Sequence, residues 1–124
     1  MKALFTAGGT IAHDTGSQVS GGIFTITSPP STKVKAGGNF VYSQSVSVTF
    51  VGGNAPGMVP GSVQGSGVIM ATATKVFEIP SKAVMLDGDA GILNGTGQPS
   101  GGGSPVPIQI PCHCVASQTN VTGV

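Results

Sequence analysis

Strict alternation between apolar and polar residues marks two segments of this chain. Residues 45–51 read SVSVTFV, which places Val46, Val48 and Phe50 on one face of an extended strand and the serines and threonine on the other. Residues 23–27, IFTIT, alternate in the same way. A period of two is typical of a strand with one buried face. Both segments are therefore predicted to be strands.

Other segments extend this β pattern. Residues 67–79 are mostly apolar and β-branched, which predicts one long strand or two strands joined by a bend. Residues 105–111 also alternate, but their prolines place them at a sheet edge or in an extended arm. Residues 51–67 and 93–105 are rich in glycine and predict loops. Because no segment combines helical spacing with helix caps, the predicted fold class is all-β, with little or no helix.

The composition suits many short strands joined by tight turns. The chain has 124 residues, which predicts a single domain over residues 1–124. Its 21 glycines and 9 prolines are typical of disorder, but 39% of the residues are hydrophobic and the net charge is only +1. Since charged residues make up only 7% of the chain, we expect part of its apolar surface to need a partner.

The charge pattern excludes some partners. All five basic residues are lysines, and they form no basic run. This predicts no nucleic-acid partner, and it gives no sign of polybasic attachment to a membrane. No apolar stretch has the length of a membrane span, and the apolar run after Lys2 is too short for a signal peptide. We therefore expect the chain to begin in the cytoplasm, where disulfides are disfavoured.

An internal repeat organises the middle of the chain. Residues 31–44 and 73–88 align, with Thr-Lys-Val ending at Val34 in one copy and at Val76 in the other. The repeat-like units cover about 20–50 and 66–90, and a weaker third unit covers about 103–118. Because one hairpin cannot bury its own face, such units stack or wind around an axis. Val34 and Val76 are therefore expected to be equivalently buried.

These units resemble the PAAR-repeat family. Both follow a pattern of Gly-x-Ile or Gly-Val-Ile, a Thr-x-Val strand, a turn and a second short strand, and residues 85–89, MLDGD, stand where the family carries Ala-Arg-x-Gly-Asp. The Pro-Ala-Ala-Arg motif itself is absent, and residues 39–42 and 81–84 occupy its places. The resemblance covers roughly residues 20–90. It implies a small cone of β-hairpins with an approximately threefold arrangement.

The resemblance also implies a function. PAAR proteins cap the trimeric spike of contractile injection systems, such as type VI secretion systems and phage-tail-like particles. The implied protein is structural rather than enzymatic, with one cap on each homotrimeric spike. It would assemble in the cytoplasm, carry effector cargo, and reach the target membrane or leave the cell on contraction. The alternative is a small β-rich binding or adhesin module without a spike partner.

The segment PCHC, residues 111–114, holds both cysteines and one of the two histidines. In an extended strand, Cys112 and Cys114 point to one side and His113 to the other. A disulfide between them would close a short and strained ring. A catalytic thiol is a second alternative, but no orienting motif accompanies it. Two cysteines buried in the core are a third.

A metal site is the fourth interpretation of PCHC, and the resemblance favours it because PAAR tips are held by a metal, usually zinc, on His and Cys side chains. The implied ligands are Cys112 and Cys114 with His13 and His113, and Asp14 is the fallback for the last position. A narrow tip has little hydrophobic core, so a structural metal would supply stability there. Thiolate and imidazole ligands favour zinc, with iron as the runner-up.

Overall fold

The protein is described by a computed structural model that covers residues 2–79, 82–118 and 121–123. Within these residues there are twelve strands and no helix, so the prediction of an all-β fold is confirmed. No helix in the described ranges is long and apolar enough to span a bilayer.

The strands follow one another along the chain with short connections. They are β1 (Lys2–Ala3), β2 (Thr10–His13), β3 (Ser20–Ile26), β4 (Lys35–Ala36), β5 (Asn39–Phe40), β6 (Ser45–Asn54), β7 (Val63–Met70), β8 (Phe77–Ile79), β9 (Lys82–Ala83), β10 (Ala90–Gly97), β11 (Val106–Val115) and β12 (Thr122–Gly123).

Six strands form one antiparallel sheet in the order β2-β11-β10-β7-β6-β3. Its two outer strands, β2 and β3, lie in contact, so the sheet is nearly closed on itself. The remaining strands form three two-stranded antiparallel sheets, which pair β4 with β5, β8 with β9, and β1 with β12. The first two are hairpins, and the third has the same form although its strands are far apart in sequence, so we call all three hairpins. All three hairpins stand at the same end of the six-stranded sheet, which we call the hairpin end.

A ring of three backbone hydrogen bonds joins the hairpins. The N–H of Phe5 donates to the carbonyl of Met85 at 2.8 Å, Met85 donates to Tyr42 at 2.8 Å, and Tyr42 donates to Phe5 at 3.1 Å. All three side chains are buried in the main core. Each unit therefore donates to one neighbour and accepts from the other, which is an approximately threefold arrangement.

A second set of hydrogen bonds repeats the same symmetry. Two residues after each member of the ring, another backbone N–H donates to a carbonyl oxygen in the hairpin of a different unit. These bonds run from Ala7 to Phe40 at 2.8 Å, from Gln44 to Ala83 at 2.6 Å and from Asp87 to Ala3 at 2.7 Å. Since both sets close around three units, the symmetry belongs to the backbone and does not depend on matching side chains.

The two Thr-Lys-Val segments occupy equivalent places, as their alignment predicts. The carbonyl of Val34 accepts from the N–H of Val41 at 3.0 Å, and the carbonyl of Val76 accepts from Val84 at 2.9 Å. Both Val34 and Val76 are partly buried against the same small hydrophobic cluster.

The third unit is assembled from both ends of the chain. The N–H of Leu4 donates to the carbonyl of Val121 at 3.0 Å, which matches the bonds at Val34 and Val76. Strand β1 pairs with β12 through the partners Lys2 and Gly123. The segment about 103–118 contributes the first long strand of this unit, β11, and its hairpin is formed by β12 and β1.

Two hydrophobic clusters stabilise the fold. The main cluster fills the inside of the six-stranded sheet and includes Phe50, Ile69, Leu93 and both cysteines. A second cluster, built on Leu4, Val41 and Val84, lies under the three hairpins. Burial of these side chains out of water is the principal stabilising term, at about 25 cal/mol per Å² of apolar surface.

The prediction that 51–67 and 93–105 are loops is wrong in part. Strand β6 runs on to Asn54, β7 begins at Val63, and β10 continues to Gly97. The glycines that suggested loops are needed where strands crowd together. A Cβ on Gly95 would lie 2.2 Å from the carbonyl oxygen of Gln64, and a Cβ on Gly65 would lie 2.7 Å from the Cα of Gly95. The segment 67–79 forms two strands, the second of its two predicted forms.

The prolines of β11 face a partly open sheet edge. Cys114 donates its N–H to Asp89 and accepts at its carbonyl from Gly88, both at 2.8 Å, so its backbone points toward β10. Because the backbone polar groups of successive residues in a strand point to alternate sides, those of Pro107 and Pro111 point away from β10, toward the side of β2. Strand β2 pairs only with the last four residues of β11, so neither proline removes a hydrogen bond from the described ladder.

Candidate functional site

The segment PCHC lies in β11, beside β2. In the ladder between these strands, Cys112 is the direct partner of His13 and Cys114 is the direct partner of Ile11. Directly opposite residues of an antiparallel pair point to the same face. Both cysteines and His13 therefore lie on the inner side of the sheet, and His113 lies on the outer side, as the sequence predicts.

Both thiols are free and fully buried, with 0% exposure. Burial raises the pKa of Cys112 to about 11, with a smaller contribution from the Asp14 carboxylate. Burial also raises the pKa of Cys114 to about 12, assisted by the Asp89 carboxylate. Because the thiolate is the nucleophile, thiols held in the protonated form are poorly suited to covalent chemistry at neutral pH.

His13 occupies the seam between the first and last strands of the sheet. Its Nε2–H donates to the carbonyl oxygen of Gly21 on β3 at 2.7 Å. The imidazole also packs edge-on against two rings, with centroids 4.8 Å from Phe24 and 5.2 Å from Phe50. Its Nδ1 is buried and has no hydrogen-bond partner among the described residues.

His113 makes a separate contact on the outer face. Its Nδ1 lies 2.6 Å from Oδ1 of Asp14, the residue that follows β2. Both side chains are about one-third exposed, at 32% and 34%. The pair fastens the end of β2 to β11, and the backbone N–H of Asp14 adds a bond to the Pro111 carbonyl at 3.1 Å.

The predicted metal ligands are only partly brought together. Within the described ranges, no three His, Cys, Asp or Glu side chains are arranged to hold a metal ion. Cys112, Cys114 and His13 share the inner face, and the unpartnered Nδ1 of His13 is a free imidazole donor beside Cys112 in the ladder. Two sulfurs and one imidazole nitrogen are a donor set that suits zinc. His113 faces away from them, and its Nδ1 contacts the Asp14 carboxylate.

A buried carboxylate next to Cys114 is a feature that the sequence did not single out. Asp89 is 2% exposed. Its Oδ2 accepts from the N–H of Leu86 at 2.9 Å, its Oδ1 accepts from the Thr72 hydroxyl, and its carbonyl accepts from Cys114. Asp89 therefore fixes the turn between the hairpin end and β10. The Gly-Asp of MLDGD was the only sequence signal for it.

The distribution of charge is a second feature that the sequence did not predict. The five lysines are scattered along the chain, but every one lies in a hairpin strand or just before one, and every one is exposed: Lys2, Lys33, Lys35, Lys75 and Lys82. The repeated Lys-Ala before Leu4 and Val84 was the available signal. The fold collects them at the hairpin end.

The opposite end and the sheet walls are nearly free of charge. The loop residues 15–19, 55–62 and 98–105 contain no charged side chain. An open groove of about 570 Å³ crosses the outer face of β6, β7 and β10, and its polar lining is uncharged, supplied by Thr49, Gln64, Asn94 and Thr96.

Comparison of the chain with protein-family models, with curated proteins and with solved structures found no match. The residues and their geometry are therefore the basis for a functional proposal.

Proposed function

We propose that this protein is a divergent PAAR-like cap that docks on the trimeric spike of a contractile injection system. The observation that carries the proposal is the hydrogen-bond ring of Phe5, Tyr42 and Met85, which joins three equivalent units within one chain. A single chain on the axis of a homotrimer must offer a similar surface to each of three subunits. Three units around an axis meet that requirement, with one cap on each spike.

The uncharged end opposite the hairpins is the docking surface in this proposal. Its loops carry no charge, and Val59 in one of them is 40% exposed. An apolar, uncharged surface costs little to desolvate when a partner covers it. The hairpin end, with all the lysines, then faces away from the spike.

The role is structural and involves no catalysis. Cys112, Cys114 and His13 hold a structural zinc ion in this proposal, with iron as the runner-up metal. His113 lies on the other face, so the fourth ligand would be another group, such as the Asp14 carboxylate near Cys112. The cap assembles in the cytoplasm, can carry effector cargo, and is delivered outside the cell or into the target on contraction.

Co-expression with the trimeric spike protein of an injection system from the same genome tests the proposal. Native mass spectrometry should show one cap for each spike trimer. Val59→Lys, at the docking end, should abolish the complex, because it buries an unpaired charge. Thr32→Lys adds the same charge at the exposed hairpin end and should leave the complex intact. A cap that binds no spike, or that loses binding equally with both variants, contradicts the proposal.

The open groove favours the second candidate, a small β-rich binding or adhesin module. Its neutral hydroxyl and amide side chains can hydrogen-bond a neutral polar ligand such as a carbohydrate. Asn94→Ala and Thr96→Ala would weaken glycan binding in that case and leave a spike complex unchanged. Glycan-array binding that these substitutions abolish, without any spike complex, would decide for the module.

A further inference from the structure

The hairpin end combines positive charge with exposed apolar side chains. Each hairpin supplies at least one lysine to it: Lys2 on β1, Lys35 on β4 and Lys82 on β9, with Lys33 and Lys75 just before β4 and β8. Because the three hairpins are related by the backbone ring, the lysines are spread around the end of the molecule rather than along one side.

Apolar side chains lie among these lysines. Phe77 on β8 is 45% exposed, and Val121 next to β12 is 38% exposed. In the remaining hairpin, the Lys35 Nζ lies 4.8 Å from the centroid of the Phe40 ring. Each hairpin thus carries one apolar side chain together with its lysine. This combination is typical of protein surfaces that enter the boundary between lipid headgroups and acyl chains.

The two aspartates of the turn before β10, Asp87 and Asp89, bond to groups other than lysines. Asp89 is buried, and its two carboxylate oxygens accept hydrogen bonds from the Leu86 N–H and the Thr72 hydroxyl. The Asp87 carboxylate accepts a hydrogen bond from the Ala116 N–H at 2.8 Å. Among the side chains that the structure describes, no lysine forms a salt bridge with Asp87 or Asp89. Glu78 is the other acidic residue in this part of the sequence. Five lysines against three acidic residues leave the end positively charged.

We propose that the hairpin end binds the surface of an anionic phospholipid bilayer through these five lysines and the apolar side chains between them. Lysines near an anionic bilayer each add to the attraction, and the apolar side chains add contacts that salt does not screen. A nucleic acid fits this end less well, because the chain has no arginine and the lysines surround apolar residues instead of lining a groove. The inference relies on the proposed cap only for which end faces outward.

Vesicle flotation of the purified chain tests this inference without any spike. We expect binding to vesicles of phosphatidylcholine with about one-third phosphatidylglycerol and much weaker binding to phosphatidylcholine alone. Replacing one lysine per hairpin, in the triple variant Lys2→Gln, Lys35→Gln and Lys82→Gln, should weaken binding about a hundredfold. Phe77→Ser should weaken the part of the binding that persists at about 0.5 M salt.

A matched control changes the net charge equally at the opposite end. The triple variant Gln18→Glu, Val59→Glu and Gly101→Glu also lowers the charge by three and should retain most of the vesicle binding. Circular dichroism confirms that each variant is folded. Equal loss with both triple variants, equal binding to both kinds of vesicle, or tighter binding to DNA than to vesicles overturns the proposal. The vesicle assay contains no spike protein. Failure of the membrane proposal therefore does not count against the spike-cap proposal, and failure of the cap proposal does not count against membrane binding.

Discussion

The imidazole of His13 donates a 2.7 Å hydrogen bond from Nε2 to the carbonyl oxygen of Gly21. These residues belong to β2 and β3, which have no strand ladder between them in the described sheet. A side chain therefore closes the seam that the backbone leaves open. The imidazole also fills the space between the seam and the rings of Phe24 and Phe50.

Replacing His13 with alanine should destabilise the protein by about 1–2 kcal/mol, because it removes the seam hydrogen bond and a partly buried ring packed against Phe24 and Phe50. His113→Ala is the matched control. It lies on the other face of the same strand pair, and its contact with Asp14 is partly exposed, so the expected loss is below about 1 kcal/mol. Urea unfolding measures the free energy lost in each variant. Equal losses would show that the contact of His13 with β3 stabilises the protein no more than the His113–Asp14 contact does.

Gly95→Ala should destabilise the protein by about 1–3 kcal/mol, because the new Cβ has no room between the strands. It would lie 2.2 Å from the Gln64 carbonyl oxygen and 2.9 Å from the Ile110 side chain. Gly101→Ala is the control, since a Cβ there meets nothing within 4 Å. Equal melting temperatures for the two variants would show that the space between β7 and β10 accommodates a methyl group at position 95.

In the metal-free protein, the thiols should lower the free energy of unfolding as the pH rises through their alkaline range. An ordinary thiol has a pKa of 9.0, whereas burial raises the pKa of Cys112 to about 11 and that of Cys114 to about 12. The unfolded chain therefore loses these protons first. The folded state holds more protons between these values, so the free energy of unfolding falls as the pH increases and is unaffected below about pH 8.

Urea unfolding at about pH 8 and about pH 10.5 measures this effect. Replacing both cysteines with serine should remove most of the pH dependence. Burial also raises the pKa of Tyr42, so a smaller slope should remain. In the metal-free native protein, a thiol reagent should react with neither cysteine at neutral pH. After unfolding, both cysteines should react with it. An unchanged pH slope in the double variant would count against thiols buried as described.

Purified protein should contain one zinc ion per chain, by elemental analysis. Binding must remove the protons of Cys112 and Cys114, so affinity should rise with pH. A chelator should lower the melting temperature, because loss of a structural metal costs several kcal/mol. The double variant Cys112→Ser and Cys114→Ser should contain no zinc, and the chelator should leave its melting temperature unchanged. Absence of metal, with equal melting of wild type and variant, would identify the cysteines as ordinary core residues.

Local patterns predicted those parts of the fold that local physics determines. The alternation at 45–51 became β6, with Val46, Val48 and Phe50 buried. The same alternation put Cys112 and Cys114 on the inner face of β11. Val34 and Val76, which the alignment matches, accept equivalent backbone hydrogen bonds from Val41 and Val84. Each of these predictions rests on a pattern within a short segment of the sequence.

Pairings between distant segments could not be predicted in the same way. Nothing local in Lys2 or Gly123 indicates that they are strand partners. The lysines form one charged end only after three hairpins meet around the ring. Glycines were assigned to loops because their turn propensity is a local property, whereas the lack of space around Gly95 depends on a strand about thirty residues away.

The pairing of β1 with β12 also determines when this protein can finish folding. On the ribosome, Phe5 emerges well before its partners Tyr42 and Met85. The strand that pairs with Lys2 is synthesised later still. Contacts of such high sequence separation make folding slow. The domain therefore cannot complete its fold before β12 has left the ribosome. Until then its first residues remain an unpaired strand, which a chaperone or a neighbouring nascent chain could bind.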